Sequence, residues 1–284
     1  MPIDPQKASG ATMPVSEASW DQDKVILYHL GVGAGLGKPT DAKELEYTYE
    51  GNLKVLPSFG VIPAFGSMAG IGAVPGISIN FAMVLHGEQD LEIHRPIPVA
   101  ATVENHPRIV GLYDKGKAAV IVVEVVTKIK GGEALFTNRF STFARGEGGF
   151  GGDPGPKPGN NPPDRKPDLV AESPTMSHQA LLYRLSGDKN PLHADPAFAK
   201  MGGFDVPILH GLCSYGVVCK AVVDHVLDGD VTKVARYQTR FAGVVFPGET
   251  LVTSMWKEGR DIFVAASTKE RNSPVLSNTV ISLR

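Results

Sequence analysis

An acid, an amide and an imidazole fall within six residues at Asp188, Asn190 and His193, inside the stretch Tyr183-Arg-Leu-Ser-Gly-Asp-Lys-Asn-Pro-Leu-His193. A carboxylate and an imidazole this close can hold a water molecule and move its protons, since both titrate within tuning range of neutral pH. The amide of Asn190 could orient either one. Gly187 stands before the three and Pro191 between them, and proline disfavours helical geometry at the residue before it. The helix through Leu181 to Leu185 should therefore end here, leaving the polar side chains on a turn. The same residues also suit a plain Asx-turn, with Asp188 and Asn190 bonding local backbone and His193 as a cap. Spacing alone leaves both readings open.

A second candidate is Gly211, in Ile208-Leu-His-Gly-Leu212. His210-Gly211 opens an apolar run whose first N–H groups would lack intrahelical partners, and a helix N-terminus suits a developing oxyanion. Glycine lets a carbonyl approach the backbone closely, although Gly211 could equally ease packing of helix on sheet. His178 and His225 show no partners. Cys213 and Cys219 lie in the apolar run and read as core; their spacing puts them on different helix faces, which fits unpaired thiols in a reducing compartment. No His/Cys pair has ligand spacing, so no metal is expected.

The elements that must position these groups are mostly strands. Residues 1–19 read as a loosely attached arm, Trp20–Leu30 as a short helix, and Glu44–Tyr49 as an alternating edge strand. A Gly/Pro/Ala-rich passage, Pro57–Gly76, leads to the run Ile77–Leu85 ahead of His86-Gly87. Strand candidates follow at Gln89–His94, Ala100–Tyr113, Ala118–Ile129 and Ala134–Phe143, the last two joined by a hairpin at Gly131-Gly132. The spacing Gly31-Val-Gly-Ala-Gly-Leu-Gly37 resembles a dinucleotide loop, but a helix rather than a strand precedes it, so it reads as a helix exit. Gly146–Pro167 is rich in glycine and proline and reads as a linker. Beyond it come helices at Ser177–Leu185, Pro196–Met201 and His210–Leu227, the last apolar around much of its circumference and so buried. Strand candidates at Ala235–Phe241, Glu249–Lys257, Asp261–Lys269 and Pro274–Leu283 close the chain.

The two halves repeat each other. Leu27-Tyr-His-Leu-Gly31 matches Leu182-Tyr-Arg-Leu-Ser186, 155 residues later. At that offset Gly33 stands where the second half has Asp188, and Lys38 where it has His193, so one copy alone carries the acid–base pair. One ancestral unit was duplicated: residues 1–145, a linker at 146–168, and residues 169–284.

Composition sets outer limits. The 284 residues are 42% hydrophobic and 20% charged with a formal net charge of −2, an ordinary globular balance that points to neither nucleic acid nor an anionic membrane. No apolar stretch reaches a membrane span, no signal peptide is visible, and Ile281-Ser-Leu-Arg284 does not read as a peroxisomal address. The expected location is the cytoplasm.

Residues 183–199 resemble the signature of the (R)-specific enoyl-CoA hydratases of the MaoC-like family. Tyr183, Leu185, Ser186, Gly187, Asp188, Asn190, Pro191, Leu192, His193 and Ala199 all fit it, and the duplicated layout extends the likeness over nearly the full length. The resemblance implies an α+β double hot-dog fold, in which each half wraps an antiparallel sheet around a helix. It implies reversible syn addition of water to a trans-2-enoyl-CoA, giving (3R)-3-hydroxyacyl-CoA, with no cofactor. By that similarity Asp188 and His193 grip the water, Asn190 orients it, and the Gly211 N–H receives the thioester oxygen. His86, Gly87, Lys115, Lys189 and Phe241 would line the acyl-CoA site. The short Ile77–Leu85 run would be a trimmed counterpart of His210–Leu227 that leaves room for a long or bulky acyl chain. A homodimer is also implied. The competing readings are a hot-dog acyl-CoA thioesterase and a catalytically silent acyl-CoA-binding protein.

Overall fold

The computed structural model describes residues 3–157 and 159–284; Met1 and Pro2 of the expected arm and Pro158 of the expected linker lie outside them. Among the described residues ten strands form one antiparallel sheet: β1 (Ser16–Trp20), β2 (Val84–Ile93), β3 (Ala101–Asp114), β4 (Ala118–Ile129), β5 (Ala134–Arg145), β6 (Leu169–Pro174), β7 (Val234–Phe241), β8 (Thr250–Glu258), β9 (Asp261–Thr268) and β10 (Pro274–Leu283). Their order is β1-β3-β4-β5-β2-β7-β10-β9-β8-β6. Read outward from the centre, β2-β5-β4-β3-β1 and β7-β10-β9-β8-β6 are the same five-strand unit written twice. The halves join where β2 pairs with β7, Glu88 opposite Arg240 and Leu91 opposite Tyr237. The double hot-dog architecture follows directly from this order.

β-Branched runs make the long strands. In Ala-Ala-Val-Ile-Val-Val-Glu-Val-Val-Thr-Lys-Ile of β4, stiff side chains pack well on a pleated surface, and Gly131, at φ 71°, turns the chain back into β5. The helix of the second half, α7 (Gly211–Val226), is buried from Leu212 through Val223 without interruption. Helix and sheet share one core that also takes in Tyr28, Phe59 and Leu91 of the first half. Burying a valine such as Val218, Val222 or Val223, each with no exposed surface, contributes about 1.5–3 kcal/mol.

The remaining helices are α1 (Pro5–Ala8), α2 (Gln22–Gly31), α3 (Ala42–Thr48), α4 (Val61–Phe65), α5 (Gln179–Tyr183) and α6 (Pro196–Met201). The duplicated segments α2 and α5 meet face to face. The Tyr28 and Tyr183 rings are 6.1 Å apart, and a Cβ on Gly31 would stand 3.3 Å from the Tyr183 Cα. Gln179 Nε2 donates to the Gly31 carbonyl at 2.6 Å. Past Gly31 the glycines form a helix exit, as expected, with positive φ at Gly33, Gly35 and Gly37; the Gly35 N–H donates to Glu44 at 2.7 Å.

Three expectations are corrected. The segment before Trp20 is no loose arm: Ile3 and Ala8 are fully buried, Ile3 and Thr12 bridge to Ile77 and Arg108, and β1 pairs with β3. Glu44–Tyr49 is not a strand but lies mostly in α3, capped by Asp41, which accepts from the Lys43 N–H at 2.9 Å. Of its alternating apolar residues only Tyr47 is buried, so the alternation had no face to pack. α3 is tied to α7 instead: Lys220 Nζ meets Glu44 at 2.8 Å and Asp224 at 2.7 Å, and Tyr47 Oη donates to Asp224 at 2.7 Å. The trimmed helix is not Ile77–Leu85 either. The helical stretch of the first half is Pro57–Ala73, one turn of α-helix, α4, between 3₁₀ turns. Its two prolines and four glycines break it. Leu85 and His86 already belong to β2.

Between Arg145 and Leu169 the described residues contain no helix or strand. The passage is pinned to the sheet. The Asp114 carboxylate accepts the N–H groups of Gly116, Gly149 and Gly151 at 2.7–2.9 Å, and Asn278 Nδ2 donates to the Gly159 carbonyl at 2.6 Å.

Candidate active site

α5 runs into a 3₁₀ turn, Arg184–Ser186, which Gly187 ends at φ +137°. That conformation strains any residue with a Cβ. Two side-chain caps then follow in succession. Asp188 Oδ1 accepts the Asn190 N–H at 3.1 Å, and Asn190 Oδ1 accepts the Leu192 N–H at 3.0 Å. Pro191 takes the first position of the short turn Pro191–His193, where a missing N–H costs nothing. His193 emerges from it buried, and its Nδ1–H donates to the Ile208 carbonyl at 2.9 Å. A carbonyl only accepts, so the proton sits on Nδ1 and the Nε2 lone pair is free. Burial pushes the His193 pKa below 6.5, against the opposing pulls of the Ile208 bond and the Asp188 charge. At neutral pH His193 is therefore an unprotonated base.

The facing element is the start of α7. Leu209 N–H donates to the Val245 carbonyl at 2.8 Å, fixing the entry of the chain. His210 is the N-cap without using its side chain as one, and Gly211 is the first helical residue. The N–H groups of this turn point out of the helix at its positive end. A Cβ on Gly211 would stand 3.0 Å from the Phe241 ring, so the ring would have to give by a few tenths of an ångström. The His86 ring lies 4.7 Å from that of Phe241. Its Nε2–H donates to the Glu88 carbonyl at 3.1 Å, and burial lowers its pKa to about 4, so it too is neutral. Gly87 sits at a bulge in the β2–β5 pairing.

His210 joins the two segments. Its Nε2–H donates to the Asp188 carbonyl at 3.2 Å. Its ring stacks on His193 with centroids 3.7 Å apart and planes at 28°, while Tyr183 covers it at 5.0 Å. Burial and the neighbouring His193 depress its pKa to about 3. Asp188, His193 and His210 each offer an atom within 4.8 Å of the others'. As a metal site the trio fits poorly, because the two imidazoles are stacked face to face 3.7 Å apart and their lone pairs do not converge on one point.

The structure thus brings together Asp188, His193, Gly211, Phe241 and His86. Asn190 holds the turn under His193 by its cap. Lys189 is exposed, and its carbonyl accepts from Arg184 at 3.4 Å. Lys115 lies apart, at the β3–β4 turn, where its ammonium donates to the Pro154 carbonyl of the linker passage and stands 6.0 Å from the Tyr113 ring. Reading the sequence gave His210 no role, since it lies seventeen positions after His193 and no spacing rule links them. Its place before Gly211 at a helix start was the available signal. The assembled groups are a neutral base and a carboxyl group on a loop tied to the first turn of α7, whose N–H groups can donate. That is the equipment for delivering water to a carbon conjugated to a carbonyl.

Comparison with known proteins agrees with this layout. Residues 19–146 match the MFE-2 hydratase 2 N-terminal domain, and residues 159–279 match the MaoC-like domain. The chain is 45% identical over 282 residues to the enoyl-CoA hydratase ChsH3 of Mycobacterium tuberculosis, covering 99% of this chain and 98% of that protein. It is 41% identical over 289 residues to the probable enoyl-CoA hydratase 2 of Dictyostelium discoideum, covering 99% and 96%. The crystal structure of a MaoC-like dehydratase from Phytophthora capsici superposes with a TM-score of 0.87 at 33% identity, covering 99% of each chain.

Proposed function

The chain belongs to the enoyl-CoA hydratase 2 family of MaoC-like proteins, and on that premise we propose that it is a hydro-lyase adding water to trans-2-enoyl-CoA to give (3R)-3-hydroxyacyl-CoA. The observation that carries this is the free, unprotonated Nε2 of His193 beside Asp188, opposite the open first turn of α7 at Gly211.

The steps follow from the chemistry of each group. The thioester oxygen lies at the Gly211 N–H, which stabilises the enolate as negative charge moves onto that oxygen. Each such donor is worth about 2.7–4 kcal/mol. His193 Nε2 takes a proton from the bound water as its oxygen bonds to C3. The proton passes through the Asp188 carboxyl to C2, so one water supplies both new bonds from one face and no cofactor is needed. Two carbonyl-anchored imidazoles and the Asn190 cap keep the acid–base loop in place. Phe241, against Gly211, and His86, against Phe241, form the wall along which the thioester and its acyl chain lie.

Long or bulky acyl groups are the preferred substrates in this reading, supported by the glycine-broken helical stretch Pro57–Ala73 and by exposed Phe81, Met83 and Leu85 beside His86. A homodimer in the cytoplasm completes the proposal; the buried, unpaired Cys213 and Cys219 suit a reducing compartment.

The test uses crotonyl-CoA and longer trans-2-enoyl-CoA thioesters with the purified chain. Loss of enoyl absorbance without free thiol is the expected result. Thiol release at the same rate would make the protein a thioesterase and overturn the proposal.

A further inference from the structure

Four side-chain atoms buried without a hydrogen-bond partner belong to the acid–base segment and its partner: Tyr183 Oη, Arg184 Nε, Ser186 Oγ and His210 Nδ1. The mechanism uses none of these residues directly, yet His210 is built into the site more firmly than any of them. Two hydrogen bonds run in opposite directions between the same two segments. His193, in the acid–base loop, donates to the carbonyl of Ile208 just ahead of α7 at 2.9 Å. His210, at the cap of α7, donates back to the carbonyl of Asp188 at 3.2 Å. The two rings lie flat on each other between these ties, and Tyr183 closes the far side of His210. Both acceptors are main-chain carbonyls, which do not titrate.

We propose that His210 is a positioning residue whose bond to the Asp188 carbonyl holds the acid–base loop at its working distance from the Gly211 N–H. The inference rests on the hydratase reading above. Hydration needs the proton-transfer pair and the enolate donor to act on one substrate at once, and these sit on different elements. Asp188 and His193 belong to the loop after α5; Gly211 belongs to α7. The tie from His193 fixes one end of the loop to the helix entry, and that from His210 fixes the other. With only one tie left the loop pivots about His193 and Asp188 swings away from the bound water. The substrate still binds along Phe241 and His86, so the loss falls on turnover and leaves affinity largely unchanged.

The test compares variants by kcat and KM on crotonyl-CoA, with circular dichroism to verify the fold. His210→Phe keeps a flat ring on His193 but has no donor. Its kcat should fall about tenfold or more with KM within about twofold, since a misplacement near 1 Å costs up to about a hundredfold. His210→Gln carries an amide nitrogen where Nε2 stood and should recover turnover to within about threefold of the unmodified protein, the donor being restored. His210→Met, of similar reach and without a donor, takes the place of Phe if that variant does not fold. A kcat unchanged in His210→Phe, a Gln variant no better than Phe or Met, or a loss confined to KM would overturn the role of His210 while the hydratase reading stood. An unmodified protein that hydrates no enoyl-CoA would overturn both.

Discussion

Replacing Asp188 with asparagine removes one charge and leaves the loop its geometry. Asp188 Oδ1 accepts the Asn190 N–H at 3.1 Å, and an amide oxygen accepts that bond equally well. The carbonyl that receives His210 is main chain and unaffected. Gly187, which permits the turn, is untouched. Folding should therefore be preserved, and any loss of activity measures the carboxylate. General acid–base participation contributes about 10²–10⁴ in rate, or about 2.7–5.4 kcal/mol at 1.36 kcal/mol per tenfold. That is the expected loss of kcat/KM for Asp188→Asn, followed by enoyl absorbance on crotonyl-CoA beside an unchanged melting curve. The pH profile gives a second readout. In the unmodified protein kcat/KM should fall as pH drops through the His193 pKa, which burial places below 6.5. The Asp188 charge favours the protonated ring, so its removal moves that acid limb further down. A loss below tenfold in a folded variant, or a limb that moves up, would refute the reasoning.

Further outcomes follow from other contacts. Gly211→Ala places a Cβ 3.0 Å from the Phe241 ring; the ring must shift across the oxyanion end of α7, and kcat should fall by about 10²-fold, whereas an unchanged kcat would remove Gly211 from the site. Lys220→Met leaves Glu44 and Asp224 facing each other without their shared cation. Breaking a fully buried pair costs about 3–5 kcal/mol, which is the upper bound for this part-buried cluster, so Tm should fall by up to about 20 °C in calorimetry; a neutral or raised Tm would show that the ion cluster is dispensable. Acid should destabilise the fold through its buried histidines. His29, with no exposed surface, and His210 have pKa values lowered by burial to about 4 and about 3. Between those values and 6.5 the unfolded chain binds protons that the folded one does not, so stability falls as pH falls. At pH 5 the two together should cost about 4 kcal/mol relative to pH 7.5, and urea midpoints that stay level over that range would contradict this.

How legible the molecule was in its sequence differs between its parts. The long strands β4 and β10 were readable because they carry β-branched runs bounded by glycine or proline turns, and local chemistry decides them. α7 was readable because its apolar residues occur at every angle. The 155-residue repeat was also legible, but that its two copies of the segment meet at Tyr28 and Tyr183 was not, since a repeat says nothing of how its copies pack. α3 was misread because Leu45, Tyr47 and Tyr49 alternate as a strand would, while the deciding partners, Lys220 and Asp224, are some 180 residues away. The first nineteen residues lack periodicity, and single side chains such as Ile3 and Met13 hold them in place. At the site, the motif gave the local turn and its caps. What it did not give was the pair of ties between residues 188 and 210 and between 193 and 208, because a hydrogen bond from a side chain to a distant carbonyl leaves no mark on residue type. Lys115, a basic residue suited to a CoA site, meets the Pro154 carbonyl of the linker passage and the Tyr113 ring of β3, neither of which its place in the sequence signals.

The central claim is that one acid–base pair on one face of the substrate supplies both the hydroxyl and the proton. Hydration of crotonyl-CoA in deuterated water, with the product analysed by proton NMR and chiral separation, tests it most directly. The account predicts (3R)-3-hydroxybutyryl-CoA carrying a single deuterium at C2 on the same face as the new hydroxyl. Deuterium on the opposite face, a mixture of both, or the (3S) product would contradict it.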